Sequence, residues 1–326
     1  MGVEANIPMG LPSHLMDKKV LITGASGFIG SHLSQRLCNN GYEVHAVSRI
    51  RRSSGMSCLH WWQSDLEDLA IVRDLVATIK PEVIFHLAGQ VTAAPSLELV
   101  SPTFRSLLVS TVNLLTAATE VGCHRIVLIG SLTEPGHTDA APGSPYAAAK
   151  WASSVYGRMF HALYRTPVVI ARTFMTYGPG QDMSKLIPYV TLSLLGGEAP
   201  KLSSGRWEVD WIYIDDVVDG LLRAAQAHDV EGCTIDLGSG ILVPIYTIVQ
   251  QLIKFVGSQV EPLFGALPDR PLEEIRIADT VYAYTKLGWK PITSLEKGLE
   301  LTVEWYKRQL QASSRPGESA SNKHET

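Results

Sequence analysis

Short apolar runs alternate with amphipathic stretches along the first 180 positions of the chain. The first run, Val20, Leu21, Ile22 and Thr23, is aliphatic and β-branched and too short for an ordinary helix. It lacks the polar alternation of a half-exposed strand, so it predicts a strand buried on both faces. Runs of the same kind lie at 42–47, 61–66, 81–89, 124–131 and 168–174. The stretches 31–38, 66–79, 101–121 and the one opening at Ser144 instead show helical patterning. Strands that alternate with helices predict an α/β fold, a doubly wound parallel sheet with helices on both faces. Past position 180 the order becomes mixed, with a strand running into a helix at 210–217, a strand and turn at 234–240, and an amphipathic helix at 295–310. The predicted organisation is a loose leader at 1–17, a sheet domain at 18–180 completed by later segments, a smaller C-terminal α/β portion at 181–310, and a polar, disordered tail at 311–326.

Composition narrows the function classes. The chain has 326 residues, 45% hydrophobic and 18% charged, and a formal net charge of −4. That balance gives no electrostatic basis for nucleic acid or an anionic membrane. No apolar run approaches the length of a membrane span. Positions 1–17 hold two prolines and no basic segment before an apolar core, so they do not read as a signal peptide. Cys38, Cys58, Cys123 and Cys233 stand far apart with no Cys-x-x-Cys pair. They predict reduced, mostly buried thiols in a cytoplasmic protein, with no disulfide framework and no metal site.

Gly24, Gly27 and Gly30 follow the first strand and lead into the first helix. Gly24 suits the tight turn out of the strand, and Gly27 a close backbone approach to a pyrophosphate. Gly30 suits close packing of the helix on the sheet, and the helix N-terminus turns its free N–H groups toward the phosphates. The loop residues Ser26, Phe28 and Ile29 would line that cradle. The second strand ends in Ser48, Arg49, Ile50, Arg51 and Arg52, without a carboxylate. An acidic residue there would hold a ribose 2′-hydroxyl and an arginine a 2′-phosphate, so Ser48 and Arg49 favour NADP(H) over NAD. Tyr146 and Lys150 are four apart at the start of a predicted helix, hence on one face. A phenol beside an ammonium ionises more readily, which suits it to general acid–base work. His86, inside an apolar run, reads as a core histidine.

The Gly-x-x-Gly-x-x-Gly spacing, the hydroxyl-ended fifth strand and the Tyr146/Lys150 pair, in this order, resemble the extended branch of the short-chain dehydrogenase/reductase superfamily. The resemblance spans about 18–309 and implies a Rossmann-type fold and an NAD(P)-dependent enzyme of nucleotide sugars: an epimerase, dehydratase or reductase. It implies that Asp65 and Leu66 meet the adenine; the alternative from the residues themselves is that Asp65 caps the helix that follows, and both can hold together. Leu87, Ala88, Gly89 and Phe174 would line the cofactor. Ser131 or Thr133 would supply the catalytic hydroxyl beside Tyr146 and Lys150. Thr176, Arg206 and Arg270 would face the substrate. Three positions depart from the family's pattern: Leu107 and Met175 replace asparagines, and Val209 replaces an arginine. The acid pair of a 4,6-dehydratase is incomplete, since Glu134 is present without the aspartate.

A ketosugar reductase that takes its hydride from NADPH is the expected activity, with a 4-epimerase holding NAD(P) tightly as the alternative. A non-catalytic NADP(H) sensor on the same fold is the alternative of another class. Family resemblance also implies a homodimer, for which Trp151, Val155, Met159 and Phe160 lie at helical spacing near one side of a helix.

Overall fold

In the computed structural model, which describes residues 19–92, 94–137, 139–269 and 274–313, the first apolar run becomes strand β1 (Lys19–Thr23). It is followed by α1 (Phe28–Asn39), β2 (Glu43–Ser48), β3 (Leu59–Gln63), α2 (Leu69–Ile79), β4 (Val83–His86), α3 (Val100–Thr103), α4 (Ser110–Val121), β5 (Arg125–Ser131), α5 (Pro145–Tyr164) and β6 (Val168–Thr173). Next come β7 (Met175–Tyr177), α6 (Leu186–Leu195), β8 (Glu208–Tyr213), α7 (Ile214–Gln226), β9 (Thr234–Leu237), β10 (Leu242–Pro244), α8 (Ile245–Val256), α9 (Thr280–Leu287) and α10 (Leu295–Ser313). The main sheet has seven strands in the order β3-β2-β1-β4-β5-β6-β9, paired in parallel throughout. This is the doubly wound, Rossmann-type sheet expected from the pattern. The order reverses between β1 and β4, which opens a crevice at the strands' C-terminal ends. A second sheet has the order β10-β8-β7.

Burial explains why these strands read as continuous apolar runs. Leu21, Ile84, Ile126 and Ile170 are fully buried and pack with Leu115 and Val72 from the flanking helices. Phe160 joins this core, which removes it from the exposed helix face where the sequence placed it. The stretch 101–121 is helical but not one regular helix. A π-helical segment at Phe104–Val109 separates α3 from α4, and the Leu107 carbonyl within it accepts the Thr111 and Ser153 hydroxyls.

Two expectations are corrected. The cap of α2 is Asp68, which accepts the Ala70 and Ile71 N–H groups at 2.9 and 3.2 Å. Asp65 instead accepts the Glu67 N–H before the helix starts. Cys38 and Cys58 are not free thiols but form a disulfide, with Cα atoms 5.7 Å apart. Cys38 lies in the last turn of α1 and Cys58 precedes β3, and the Cys58 carbonyl accepts the Val44 N–H. Parallel pairing of β2 and β3 thus brings together two cysteines 20 positions apart. Cys123 and Cys233 are free and half-buried.

The chain divides into two compact units. The first runs to Thr176 and includes Val209–Leu242 and the stretch ending at Ile292. The second holds Tyr177–Glu208, Val243–Asp269 and the stretch from Thr293. Within the second, α6, α8 and α10 pack together, and the Tyr306 hydroxyl donates to the Gln181 carbonyl at 2.7 Å. Among the described residues no helix is long and apolar enough to cross a membrane.

Candidate active site

The glycine loop sits at the C-terminal end of β1, where the sheet reverses. Gly24 has φ +71°, and a Cβ there would stand 2.7 Å from the Leu87 carbonyl and the Ala88 nitrogen. The first glycine is therefore demanded twice, by its backbone conformation and by the exit of β4 passing against it. Gly30 answers a different need from the one expected. Its Cβ would meet the Gly24 carbonyl oxygen at 2.2 Å, so it lets the helix close on its own loop rather than on the sheet. The helix starts at Phe28, earlier than the apolar pattern indicated, with Gly27 as its N-cap. Ser26 and Gly27 are exposed while Phe28 and Ile29 are half-buried. An open helix N-terminus without a side-chain cap, over a cradle that a Cβ would fill, fits a dinucleotide pyrophosphate.

Beside it, the exit of β4 is held by a buried histidine. His86 lies opposite Thr23 in the β1–β4 register. Its Nδ1 is 2.7 Å from the Thr23 hydroxyl and its Nε2 is 3.0 Å from that of Thr111, while the Ala88 N–H donates to the Thr23 oxygen at 3.2 Å. Burial, with the nearby Lys150 cation, pushes His86 down to about 3. It is a neutral core residue, and its partner Thr23 holds the N–H groups of Leu87 and Ala88. Leu107 fills the space over Gly89, where a Cβ would be 1.9 Å from its Cδ2, and packs with Tyr146 and Ala149.

The first turns of α5 bring the titratable groups together. Ser144 caps this helix by accepting the Ala147 N–H, with Pro145 in its first turn. Tyr146 and Lys150 follow on one face and both are buried. The Lys150 ammonium donates to the Ile129 carbonyl at 2.9 Å. The Tyr146 phenol is hydrogen-bonded to the Ser131 side chain. Ser131 Oγ is 2.9 Å from Thr133 Oγ1, and Thr133 is exposed. The two candidate hydroxyls thus form one chain, with Ser131 on the phenol and Thr133 toward solvent. Burial raises Tyr146 to about 12 against the pull of the Ser131 bond, with the Glu134 carboxylate adding to the rise. Burial lowers Lys150 to about 8, opposed by Glu134. At neutral pH the site holds a protonated phenol beside a cation.

At the exit of β2, Arg52 donates to Ser48 Oγ at 3.2 Å and stacks over Trp61, and Arg49 is exposed. Asp65 is exposed and Leu66 buried, with the Leu66 carbonyl accepting the Asn113 amide at 3.0 Å. On the other side, Phe174 packs against Gly238, and the Thr176 hydroxyl donates to the Phe174 carbonyl. Val209 is buried in β8. Arg206 is exposed near the Asp269 carboxylate, which accepts both the N–H and the hydroxyl of Ser204. Arg270 lies outside the described residues. Among the described residues no three His, Cys, Asp or Glu side chains cluster as a metal site would.

Comparison with known proteins agrees with this geometry. Residues 20–238 match the NAD dependent epimerase/dehydratase family. A UDP-glucose 4-epimerase of Mycolicibacterium smegmatis is 31% identical over 317 residues, covering 90% of this chain and 100% of that protein. A dTDP-glucose 4,6-dehydratase of Haemophilus influenzae is 26% identical over 328 residues, 88% of this chain and 97% of its own. The crystal structure of UDP-glucose 4-epimerase from Thermotoga maritima with UDP-glucose superposes with a TM-score of 0.82 at 26% identity, covering 90% of this chain and 99% of that one.

Proposed function

The chain belongs to the NAD dependent epimerase/dehydratase family, and from that premise we propose that it is an NADPH-dependent reductase of a keto group on a nucleotide-linked sugar. The observation that carries the reaction type is the Ser131–Tyr146–Lys150 cluster. Ser26, Gly27 and the α1 N-terminus would hold a nicotinamide dinucleotide at the glycine loop, and that group would supply the hydride. Tyr146 gives its phenolic proton to the carbonyl oxygen, and Ser131 hydrogen-bonds the same oxygen. Lys150 holds positive charge beside the phenol, and the Thr133–Ser131 chain returns a proton from solvent. Thr176, Arg206 and Arg270 are the substrate-facing side chains in this proposal. A dehydratase is disfavoured, because Glu134 turns its carboxylate inward onto the Ser131 N–H. Mass spectrometry of what copurifies, followed by a ketosugar panel with NADPH, tests the activity.

The basic exit of β2 favours a reductase that exchanges NADPH. NADPH should bind at least about tenfold tighter than NADH, about 1.4 kcal/mol. Arg49→Ala should erase most of that gap, as titration of the two nucleotides will read. Equal affinities favour the second reading, a 4-epimerase with a tightly held NAD, which the 31% identity to a UDP-glucose 4-epimerase supports. That enzyme would interconvert a UDP-sugar pair with no net consumption of nucleotide.

We also propose a homodimer. Val155, Tyr156 and Leu163 on α5 are exposed, as are Val100 and Phe104, and α5 packs against α3 and the π-helical segment. Light scattering at micromolar concentration should give twice the chain mass, and a monomer overturns the assembly.

A further inference from the structure

The turn that carries Ser131 encloses a carboxylate that the reaction above does not use. Glu134 is 3% exposed, and its Oε1 accepts the Ser131 backbone N–H at 2.7 Å. The Glu134 N–H donates back to the Ser131 carbonyl at 3.0 Å, so the side chain is folded inside a tight turn. Ser154 of α5 adds a side-chain hydrogen bond. The space depends on a glycine, since a Cβ at Gly130 would stand 2.7 Å from Glu134 Oε1. Arg276 clamps the turn from outside, donating to the Leu132 carbonyl at 3.2 Å and to that of Glu134.

The charged and titratable groups around this carboxylate come from several elements. Lys150 and Tyr146 face it from α5 and Arg172 from β6, and Arg276 from the stretch before α9. Arg172 is itself paired with Asp236 of β9 at 2.6 Å. Glu274 faces Arg276, and His86 of β4 faces Lys150.

We propose that Glu134 is a positioning residue of this site: its carboxylate holds the Ser131 hydroxyl toward Tyr146 and, as the buried anion beside Lys150 and Tyr146, sets the pH range in which that pair works. This rests on the hydride-transfer function proposed above. Burial raises the Glu134 carboxyl above its ordinary range, opposed by the Ser131 N–H, the Ser154 bond and the Arg172 and Lys150 cations; in its ionised form it favours the Lys150 cation and disfavours a Tyr146 phenolate. Both protons leave as pH rises, and without the carboxylate both leave at lower pH. Above the pH at which Glu134 ionises, every limb of the pH–rate profile set by these groups therefore moves toward acid when the carboxylate is removed, whichever way the hydride travels.

Glu134→Gln keeps the shape and an acceptor for the Ser131 N–H while removing the charge. Its kcat profile should move acidward by about half to one pH unit. The Lys150 signal in a ¹³C-lysine NMR titration, assigned by its loss in Lys150→Met, should move the same way. Glu134→Asp keeps the charge on a shorter stem, so the profile should stay in place while kcat falls about tenfold at little-changed KM. The lysine titration needs no substrate and reads this proposal separately from the sugar chemistry, which Tyr146→Phe tests. An unmoved Lys150 titration in folded Glu134→Gln overturns the proposal. Should that variant not fold, Glu134→Asp decides, an unmoved titration with lowered kcat supporting it and a shifted titration overturning it.

Discussion

Tyr146→Phe should lower turnover by about two to four orders of magnitude, the usual worth of a positioned general acid, and leave the fold and dinucleotide affinity intact. The ring packs with Leu107 and Ala149 and would go on doing so. What disappears is the phenolic hydroxyl, the proton donor that meets the Ser131 side chain. Steady-state rates on the copurifying substrate and fluorescence titration with NADPH separate the two effects. Ser131→Ala should also lose rate, because Ser131 is the hydroxyl that meets the phenol. Thr133→Ala should lose less, since Thr133 reaches the phenol only through Ser131. Near-normal turnover by Tyr146→Phe would place the proton transfer on another group, whatever the loop binds.

Gly24→Ala should destabilise the protein by about 2–4 kcal/mol and weaken dinucleotide binding by at least about tenfold. A left-handed backbone costs an alanine about 1 kcal/mol. The remainder comes from the new methyl, which would press on the Leu87–Ala88 peptide at 2.7 Å, backbone that cannot rotate aside. Either the loop or the β4 exit must move, and both line the cradle. Gly41→Ala is the control. Gly41 has φ +81° but open space where its Cβ would go, so only the conformational cost applies and binding should be unchanged. Denaturant midpoints and NADPH titrations read the difference. Equal losses at Gly24 and Gly41 would show that backbone conformation alone requires the first glycine.

The strands and the order of the elements were legible because burial on both faces leaves an unmistakable local pattern, as in Val20–Thr23 or Val168–Ala171 with every side chain buried. Element ends were less legible. The α1 helix starts at Phe28 because the glycine loop itself forms its first turn, which carries no apolar period. The true cap of α2 stood in plain view as Asp68, three residues after Asp65. The π segment had no such signal; the Leu107 carbonyl within it accepts hydroxyls from Thr111 and from Ser153 on another helix.

By itself the sequence determined the alternation of strand and helix, the glycine loop on the first strand, the basic exit of the second, and the shared face of Tyr146 and Lys150. Each is set by spacing within a few residues, where backbone period and steric demand act directly. The tertiary structure decided what those groups touch. It put Ser131 rather than Thr133 on the phenol, closed Cys38 on Cys58, spent His86 on Thr23 and Thr111, and buried Glu134 between Lys150 and Arg172. Such contacts join residues far apart in the chain, and their energies come from burial. Desolvation is a property of the folded surroundings, which is why the raised phenol and the lowered ammonium belong to the fold and not to the residues.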